Sequence, residues 1–580
     1  MSWHDIDPIL IGPSGGSTSI TAEVAGSKAA QLGQMTRLGL NVPPAFVVPT
    51  TFCAAVNAND PKALEGLRQG LQKGIAWLEQ VTGRRFGDIR NPLLVSVRSG
   101  APQSMPGMLQ TILNLGLNDE TLHGFIRATG NPRLAWDSYR RLVQAYAEVV
   151  EGVLGTDFGQ HLRDMKKKEG IADAIALDPE ALERLTAEFR EIAERLSGRP
   201  LPDDPFEQLF AAARAVYRSW ESPRAREYRR LNKLDELAGT AVTVQTMVFG
   251  NSGGNSGAGV AFSRNPATGA NELYVDFLFD AQGEDVVSGR RTPGNAARLA
   301  ARLPQAAKLL EEGARRLDHE FHDAQDIEFT IENGKLYFLQ TRTAKRTPRA
   351  ALRIAVDLVR EGAIDISEAL ARLADVDLGH LGITRFASAA QPISTAIPAS
   401  PGVASGRIAF DCTQAKKFVD GGEPTILARA DTSTEDITGY AVADGILTAT
   451  GGRTAHAAVV ARQLGKVCLV GCRSLTFDEQ HREVTIGKER IREGDWLSLD
   501  GETGEITLGK RTIVAERPPE LVELERWHMV TSVVVNADCL WLLKTPKRAE
   551  ILEISAYLPY PCRHDHISFR PRFAALLSLS

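Results

Sequence analysis

The segment at 445–465 constrains the local fold more tightly than any other part of this sequence. An apolar run at 445–448 predicts a short buried strand. The glycine pair 451–452 then allows a tight turn with backbone angles that other residues avoid. Residues 457–463 are good helix formers, and Gly465 is a natural helix stop. The segment therefore predicts a strand, a glycine turn and a helix in succession.

A histidine occupies the mouth of this predicted helix. His456 falls in the first turn, and Thr454 is placed to cap it. Backbone N–H groups and the positive end of the helix dipole face outward there, an arrangement that binds phosphate. A neutral imidazole at this position is able to attack phosphorus. The alternative is a helix-capping histidine without chemistry, but the glycine pair, the cap and the helix around it favour the nucleophile.

A second informative feature is a hairpin of two strands around Asn333-Gly334. Alternation with period two places Asp326 and Glu328 on one face of the first strand. The same alternation places Gln340 and Arg342 on one face of the second strand. Whether the two polar pairs share a face depends on the register of the hairpin.

The length of the loop decides that register. A two-residue turn would send Glu328 and Gln340 to opposite faces. A three-residue loop, which adds Glu332, pairs Asp326 with Gln340 and Glu328 with Phe338, so that all the polar side chains face one way. We predict the three-residue loop and expect the clustered oxygens to hold Mg²⁺ that bridges ATP phosphates.

Three other features of the front half are compatible with phosphate binding. Lys28 follows Gly26 at a predicted helix start, and Arg98 stands at the end of a predicted strand, where its planar fork suits phosphate oxygens. Five glycines lie between Gly250 and Gly259, with strand-like residues on both sides. Such a loop lets backbone N–H groups approach phosphates. A solvated lysine, a surface ion pair and a flexible hairpin tip are the alternatives.

Length and composition set the broad class. With 580 residues, 43% hydrophobic and 24% charged, the sequence predicts three or four globular domains. A net charge of −5 gives no general affinity for nucleic acid or anionic membranes. There is no apolar run long enough to span a membrane and no signal peptide pattern. Six cysteines in this length do not indicate a disulfide framework. We therefore expect a cytoplasmic protein.

The residues around His456 also carry a family resemblance. The stretch at 448–462, continued by Gly465-Lys466 and 470–472, resembles the phosphohistidine signature of the pyruvate, phosphate dikinase family. The usual signature has methionine and serine where this sequence has Arg453 and Ala455. Arg453 adds positive charge beside the expected phosphate, and Ala455 removes a hydroxyl group. Further matching stretches in the front half lie at 26–32, 97–118, 257–269, 281–293 and 325–343.

The resemblance implies roles for individual residues. It implies that His456 is phosphorylated in turnover and that Lys28 and Arg98 contact phosphates. It also implies that Glu328, Gln340 and Arg342 line the nucleotide and metal site, with Asp326 nearby, and that Glu328 and Gln340 hold Mg²⁺. Glu284 is a further nucleotide-binding candidate. Arg429, Thr432 and Asp436 match positions close to the histidine.

The resemblance also implies a multidomain protein of α/β and α+β class. We expect an ATP-grasp nucleotide-binding domain at 1–345 (subdomains about 1–240 and 241–345), a helical linker at 346–390, a β/β/α swivelling phosphohistidine domain at 391–510 and a short tail at 511–580. Small residues and prolines at 388–400 predict a flexible linker. About 70 residues follow Gly509, and a pyruvate-binding barrel needs roughly 250. We therefore expect no such barrel in this sequence.

The expected activity is a dikinase half-reaction. ATP and inorganic phosphate would phosphorylate His456 and release AMP and pyrophosphate. The phosphoryl group would then move toward pyruvate and phosphoenolpyruvate on a separate pyruvate-binding module or protein. Two alternatives stay open: a phosphotransferase that acts on another small molecule, and a noncatalytic regulatory or phosphocarrier partner. The oligomeric state is left open.

Overall fold

The computed structural model describes residues 7–13, 20–103, 105, 110–171, 174–287, 294–376, 383–431, 437–453, 455–478 and 481–536. These residues form two adjoining antiparallel sheets with their helices, a connecting helical pair, and a third unit built on an eight-stranded sheet. The expected mixture of α/β and α+β units is confirmed. Within the described parts, none of the helices combines the length and the apolar character that crossing a membrane requires.

The first unit holds one five-stranded sheet and most of the helices. Its elements are β1 (Ile9–Ile11), α1 (Ala22–Ala25), α2 (Ser27–Arg37), β2 (Ala45–Val48), α3 (Cys53–Asn57), α4 (Pro61–Thr82), β3 (Arg85–Phe86), β4 (Pro92–Leu93), β5 (Val95–Gly100), β6 (Thr111–Leu115), α5 (Asp119–Thr129), α6 (Pro132–Val149), α7 (Thr156–Lys168), α8 (Pro179–Ser197), α9 (Pro205–Ser219), α10 (Pro223–Leu231) and β7 (Ala241–Thr246). The strands are ordered β1-β2-β7-β5-β6, so β7 lies at the centre of this sheet.

Local sequence sets where many of these helices begin. Helices α4, α6, α8, α9 and α10 each start with proline, directly after a residue whose side-chain oxygen accepts a backbone N–H of the first turn. Proline suits the first helical position because its missing N–H would have no partner there. The cap supplies an acceptor for one of the N–H groups that the helix leaves free. These starts follow from two adjacent residues alone.

The second unit is a four-stranded sheet backed by helices. Its elements are β8 (Gly257–Phe262), β9 (Tyr274–Phe279), α11 (Gly283–Val287), α12 (Ala296–Arg302), α13 (Pro304–Phe321), β10 (Gln325–Glu332) and β11 (Lys335–Thr343), with strand order β11-β10-β8-β9. Two of the glycines noted in the sequence belong to β8 itself. A Cβ on Gly257 would lie 2.2 Å from the Phe277 ring, and one on Gly259 would lie 2.5 Å from the Phe329 ring. Those glycines make room for a stacked aromatic pair.

The register of the β10–β11 hairpin differs from the expected one. Glu332 pairs with Lys335, so the turn is the two-residue Asn333-Gly334, with φ of 49° and 80° at the two positions. Positive φ at both positions is typical of a type I′ turn. The predicted three-residue loop, and with it the pairing of Asp326 with Gln340 and of Glu328 with Phe338, is wrong.

A β-bulge nevertheless produces the expected shared face. The register shifts between Glu328 and Phe329, because Leu339 is an extra residue on the second strand. Beyond the bulge, Glu328 lies opposite Gln340, and Asp326 lies opposite Arg342. Directly opposite residues project from the same face of a sheet. The four polar side chains are therefore together, for a different reason than the sequence suggested.

The connecting segment consists of two capped helices and one strand: α14 (Pro348–Arg360), α15 (Ile366–Leu373) and β12 (Ile383–Phe386). Thr347 and Asp365 cap the two helices, since each side-chain oxygen accepts a backbone N–H of the first turn.

The third unit follows. Its elements are β13 (Ser394–Thr395), β14 (Ile397–Ser400), β15 (Val403–Ala409), α16 (Cys412–Asp420), β16 (Thr425–Arg429), α17 (Ile437–Val442), β17 (Gly445–Thr448), α18 (His456–Gln463), β18 (Val467–Val470), β19 (Leu475–Asp478), β20 (Glu483–Ile486), β21 (Glu489–Arg492), β22 (Trp496–Asp500) and β23 (Glu505–Leu508). The large sheet has the order β13-β23-β22-β15-β16-β17-β18-β14, with parallel pairing from β15 to β18. Residues 394–395 and 397–400 are strands of this sheet, so the predicted flexible linker is wrong for them.

The chain enters and leaves the third unit through a two-stranded ribbon. After β23 come β24 (Ile513–Glu516) and α19 (Pro519–Asn536). Strand β24 pairs antiparallel with β12. Helix α19 then returns to α14, where Leu521 and Leu524 join its apolar core and Glu523 pairs with Arg360. The third unit is therefore an insertion held at one side of the second.

Candidate functional site

The start of helix α2 is fixed against the end of strand β5. Gly26 has φ of +80°, and a Cβ at this residue would lie 2.1 Å from the Gly100 carbonyl oxygen. The Ser27 N–H donates to the Ala101 carbonyl at 2.9 Å. Only glycine accommodates both this backbone angle and this approach. The contact holds Lys28, in the first turn of α2, beside the strand that carries Arg98.

Arg98 joins the two sheets. Its Nη1 donates to Gln245 Oε1 and to the Leu339 carbonyl oxygen, both at 3.2 Å. Its Nη2 donates to Gln340 Oε1 at 3.3 Å and lies 3.7 Å from Glu328 Oε2. Because Leu339 is the bulged residue of β11, the arginine meets the hairpin where the ladder is interrupted. The guanidinium thereby fixes the face that carries the predicted metal ligands.

Asp326 and Arg342 form the other half of the cluster. Arg342 Nε donates to Asp326 Oδ2 at 2.9 Å. Asp326 Oδ1 is buried and has no hydrogen-bond partner among the described residues. Burial raises the pKa of the Asp326 carboxyl above its usual value, and the Arg342 charge opposes that effect. A buried carboxylate oxygen without a donor leaves capacity for a further ligand.

The charged residues of this cluster also change the pKa of Lys28. Burial and the positive charge of Arg98 lower the pKa of Lys28 to about 8, and the Glu328 carboxylate partly opposes them. In the described parts, three cations, Lys28, Arg98 and Arg342, thus lie around the carboxylates of Asp326 and Glu328. A group with several negative charges would relieve the repulsion among the cations.

The oxygens of Glu328 and Gln340 suit a hard divalent cation. Mg²⁺ takes oxygen ligands, often one or two from the protein, with phosphates and waters completing the set. In the part of the chain that the structure describes, no group of three His, Cys, Asp or Glu side chains is arranged to hold a metal.

Glu284 lies elsewhere. It is on α11, largely exposed, with Oε2 at 3.5 Å from Arg141 Nη1. It borders a cavity of about 370 Å³ that Asp137, Arg140 and Arg141 of α6 also line. This cavity reaches Thr111, the cross-strand partner of Arg98. The structure gives Glu284 no contact with the cluster around Arg98.

The predicted nucleophile begins a helix, as expected. His456 is the first residue of α18, after the glycine pair. Ala455, not Thr454, occupies the N-cap position, so the predicted cap at Thr454 is wrong. Thr454 and the imidazole of His456 lie outside the described parts, as do Thr432 and Asp436. Arg429 is described, and its Nη1 donates to the Phe410 carbonyl at 2.8 Å.

The third unit contacts the second through two arginines near His456. The Arg453 guanidinium carbon lies 4.7 Å from the centre of the Tyr274 ring. That of Arg462 lies 5.9 Å from the centre of the Phe262 ring. From the sequence we expect Arg453 beside the phosphate, whereas in the structure its charge faces an aromatic ring of another unit.

Sequence reasoning missed Gln245, which is 2% exposed and accepts from Arg98. The available signal was an amide within the β-branched strand β7, since buried polar side chains need partners. The role of the Leu339 carbonyl had no such signal, because any residue supplies a carbonyl oxygen.

Comparison with known families decides the relationship. Residues 64–308 and 295–362 match the family described as "Pyruvate phosphate dikinase, AMP/ATP-binding domain". Those matches take in more than half of the 580 residues. The chain belongs to the pyruvate, phosphate dikinase family. Residues 421–504, which include His456, match the family described as "PEP-utilising enzyme, mobile domain".

Curated members of the dikinase family are similar over most of this chain. Pyruvate, phosphate dikinase of Clostridium symbiosum is 46% identical over 489 residues, which cover 83% of this chain and 56% of the relative. Pyruvate, phosphate dikinase 2 of Zea mays is 44% identical over 503 residues, covering 86% and 56%. The enzyme of Rhizobium meliloti is 44% identical over 499 residues, covering 84% and 56%. The chain spans about half the length of the curated relatives it matches.

Proposed function

We propose that this chain is an ATP-dependent phosphotransferase that phosphorylates His456. ATP, inorganic phosphate and the imidazole give AMP, pyrophosphate and phosphohistidine. The β-phosphoryl group of ATP stays on the imidazole nitrogen, and the γ-phosphoryl group leaves joined to inorganic phosphate as pyrophosphate. Every phosphorus atom is thereby accounted for.

The observation that carries this proposal is the cluster between the two sheets. Lys28, Arg98 and Arg342 supply positive charge around a face that also presents Glu328 and Gln340. Phosphoryl transfer needs charge stabilisation and alignment rather than covalent chemistry from these side chains. Such an excess of fixed cations is what a polyphosphate chain requires.

Glu328 and Gln340 are proposed to hold Mg²⁺ when the nucleotide binds. The ion would neutralise polyphosphate charge during transfer. The unpartnered Asp326 Oδ1 nearby supports a further ligand at this face. In the ligand-free protein, Arg98 donates to the Gln340 amide oxygen and holds it in place.

The placement of α18 supports His456 as the acceptor. The turn before the helix contacts Tyr274 of β9, in the same sheet as Asp326 and Glu328. The turn that precedes His456 thus lies against the sheet that carries the proposed nucleotide face. The free N–H groups of the first turn then stabilise the phosphate it receives.

Labelled ATP tests the proposal. The protein is incubated with ATP labelled at the β-phosphate, with and without inorganic phosphate, and the acid-labile label is mapped. We expect label on His456 and none in His456→Asn. The absence of label would favour a noncatalytic partner. A different outcome is that the label appears on His456 as a single phosphoryl group at the same rate with and without inorganic phosphate. That result would show that water, not phosphate, accepts the γ-phosphoryl group.

The final acceptor is proposed to be pyruvate, since the curated relatives are named for it. The chain spans about half the length of those relatives, and pyruvate is proposed to bind on a separate module. The test is to add pyruvate to the phosphorylated protein, alone and with a relative's pyruvate-binding part, and to measure phosphoenolpyruvate. Transfer by this chain alone would disprove the need for a separate module. Transfer only to another small molecule would favour that alternative.

A further inference from the structure

Four side chains form a continuous row across the second sheet. Tyr274 of β9 lies opposite Phe262 of β8, Phe262 opposite Asp326 of β10, and Asp326 opposite Arg342 of β11. Residues directly opposite one another share a face. The edge-to-face contact of Phe262 with Tyr274, at 6.1 Å between ring centres, and the Asp326–Arg342 hydrogen bond confirm this. The row has an aromatic end and a charged end.

The charged end is part of the proposed nucleotide site. Neighbouring strands lie about 4.8 Å apart, so the two ends of the row are separated by about 14 Å. Arg453 precedes His456 by three residues, so a contact at the aromatic end fixes where helix α18 begins relative to the charged end.

The third unit occupies the aromatic end through Arg453. The guanidinium stacks on Tyr274 at 4.7 Å, and Arg453 Nε donates to the Pro398 carbonyl at 3.2 Å. The Tyr274 hydroxyl donates to the same carbonyl at 3.4 Å. A cation over an aromatic face is attracted by the ring electrons, and more strongly where water is displaced. The contact thus joins the two units by charge and by a shared acceptor.

Arg462 braces this contact from within helix α18. Its side chain is 1% exposed and its Nη1 donates to the carbonyls of Arg453, at 2.7 Å, and Ala399, at 3.0 Å. Its guanidinium also lies over Phe262, the next residue of the row. The brace ties the backbone at Arg453 to the helix that begins at His456.

We propose that Arg453 and Tyr274 dock the histidine helix on the aromatic end of the row and so position His456 for loading at the charged end. Arg453 is a positioning residue, since it touches Tyr274 rather than the reacting atoms. This inference rests on the proposed function. It adds which residues hold the loading arrangement.

The test combines two single variants with their double. Arg453→Met removes the charge and keeps the length of the side chain, and Tyr274→Leu removes the ring from the other unit. At saturating ATP, we expect each to slow the appearance of label on His456 about ten-fold, the scale of one desolvated cation–π contact. The double variant should be no slower than the singles, and the affinity for ATP should change less than two-fold.

Rescue and control variants separate positioning from damage to the fold. Tyr274→Phe keeps the ring and should label at close to the wild-type rate. Arg473→Met removes an exposed arginine of the same unit and should have no effect. The proposal would be overturned if Arg453→Met took up label at the wild-type rate. It would also be overturned if the rate reduction in the double variant equalled the product of the two single reductions.

Small-angle scattering keeps the inference testable if labelling itself fails. Without nucleotide, Arg453→Met and Tyr274→Leu should have a larger radius of gyration than the wild type and Arg473→Met, because the third unit leaves its docked place. Equal radii would overturn the docking contact. If the wild type takes no label while the two variants still have larger radii than the wild type, the proposed function is disproved and the docking contact is supported.

Discussion

Two ion clusters lie against the same sheet and are balanced in opposite ways. In one, Arg264 at the end of β8 donates to Asp318 of α13 and to Glu361 after α14, with contacts of 2.8 and 2.6 Å to Nη2. In the other, Arg98 and its cationic neighbours meet two carboxylates, one with an oxygen that lacks a partner. The first cluster has two anions for one cation, and the second has an excess of cations.

The difference separates a cluster that holds elements together from one prepared for a ligand. Arg264 is 2% exposed, and Asp318 also accepts from the Ser263 hydroxyl at 2.7 Å. The donors and acceptors of this cluster are paired with one another, and these bonds join β8, α13 and α14. The cluster around Arg98 instead leaves charge and hydrogen-bonding capacity unused. Substitutions should therefore affect stability at the first and ligand chemistry at the second.

The largest effect is expected for Arg264→Met. The change leaves the Asp318 carboxylate buried without its cation, which costs about 3–5 kcal/mol in the free energy of unfolding. Chemical denaturation measures that loss. Glu361→Gln is the matched control and should cost less than about 1 kcal/mol, because this carboxylate is partly exposed. Equal losses for the two variants would show that the cluster is not a buried structural pair.

Arg98→Met should affect chemistry instead. Loss of one charged donor from a phosphoryl-transfer site slows the reaction about 10²–10³-fold. The rate of label transfer to His456 measures this, and the melting temperature should fall less than in Arg264→Met, because the loss of repulsion among the cations offsets part of the lost hydrogen bonding. Arg98→Lys retains the positive charge but lacks the planar guanidinium, so its rate should fall between those of the wild type and Arg98→Met. The exposed Arg85→Met serves as control. If Arg98→Met lost much stability but transferred label at the normal rate per folded molecule, the Arg98 cluster would be structural, like the cluster around Arg264.

Local sequence predicted the elements of this molecule better than their long-range contacts. Helix starts at Thr347-Pro348 and at Asp365 were predictable because cap and first turn are adjacent in the chain. The strand, glycine turn and helix around His456 were predictable for the same reason. Each depends on a few neighbouring residues.

The hairpin shows where local reasoning stops. Asn333-Gly334 is a strong signal for a two-residue turn, but in a regular hairpin that turn separates Glu328 from Gln340. The bulge at Leu339 removes that conflict, and its carbonyl is bound by Arg98, some 240 residues earlier in the chain. No pattern within the hairpin reports a donor from another sheet. The same holds for Arg453 and Tyr274, whose contact exists only once two units have folded.

Glycine substitutions sharpen the comparison by testing how the cationic cluster is held. Gly26 and Gly334 have the same φ, +80°, but a Cβ on Gly334 meets nothing within 4 Å. Gly334→Ala should cost about 1–2 kcal/mol from backbone strain alone. Gly26→Ala adds a clash with the Gly100 carbonyl and should cost about 1–3 kcal/mol more, with weaker ATP binding as Lys28 shifts. Denaturation and ATP titration measure both. Equal stability and equal affinity would mean that Gly26 does not fix Lys28.

The smallest expected effect is a pH dependence that arises from the cationic excess. With a pKa of about 8 in the ligand-free protein, Lys28 loses its charge as the pH rises through that value. The affinity for ATP should then fall, by at most ten-fold per pH unit. Phosphate nearby raises the pKa of the ammonium group, so binding between pH 8 and 9.5 should take up a proton. Calorimetry in two buffers of different ionisation enthalpy measures that uptake.

The matched variant for this test is Lys28→Arg, since a guanidinium stays charged throughout this range. Its affinity for ATP should stay level from pH 7.5 to 9.5 and its binding should take up no proton. The sign for stability is opposite to the sign for binding. The unfolded chain holds the Lys28 proton up to about pH 10.5, so this group makes the ligand-free fold more stable as the pH rises from about 8. If the wild type and Lys28→Arg gave the same pH profile for ATP binding, the lysine would not be part of the charge excess that distinguishes this cluster from the one around Arg264.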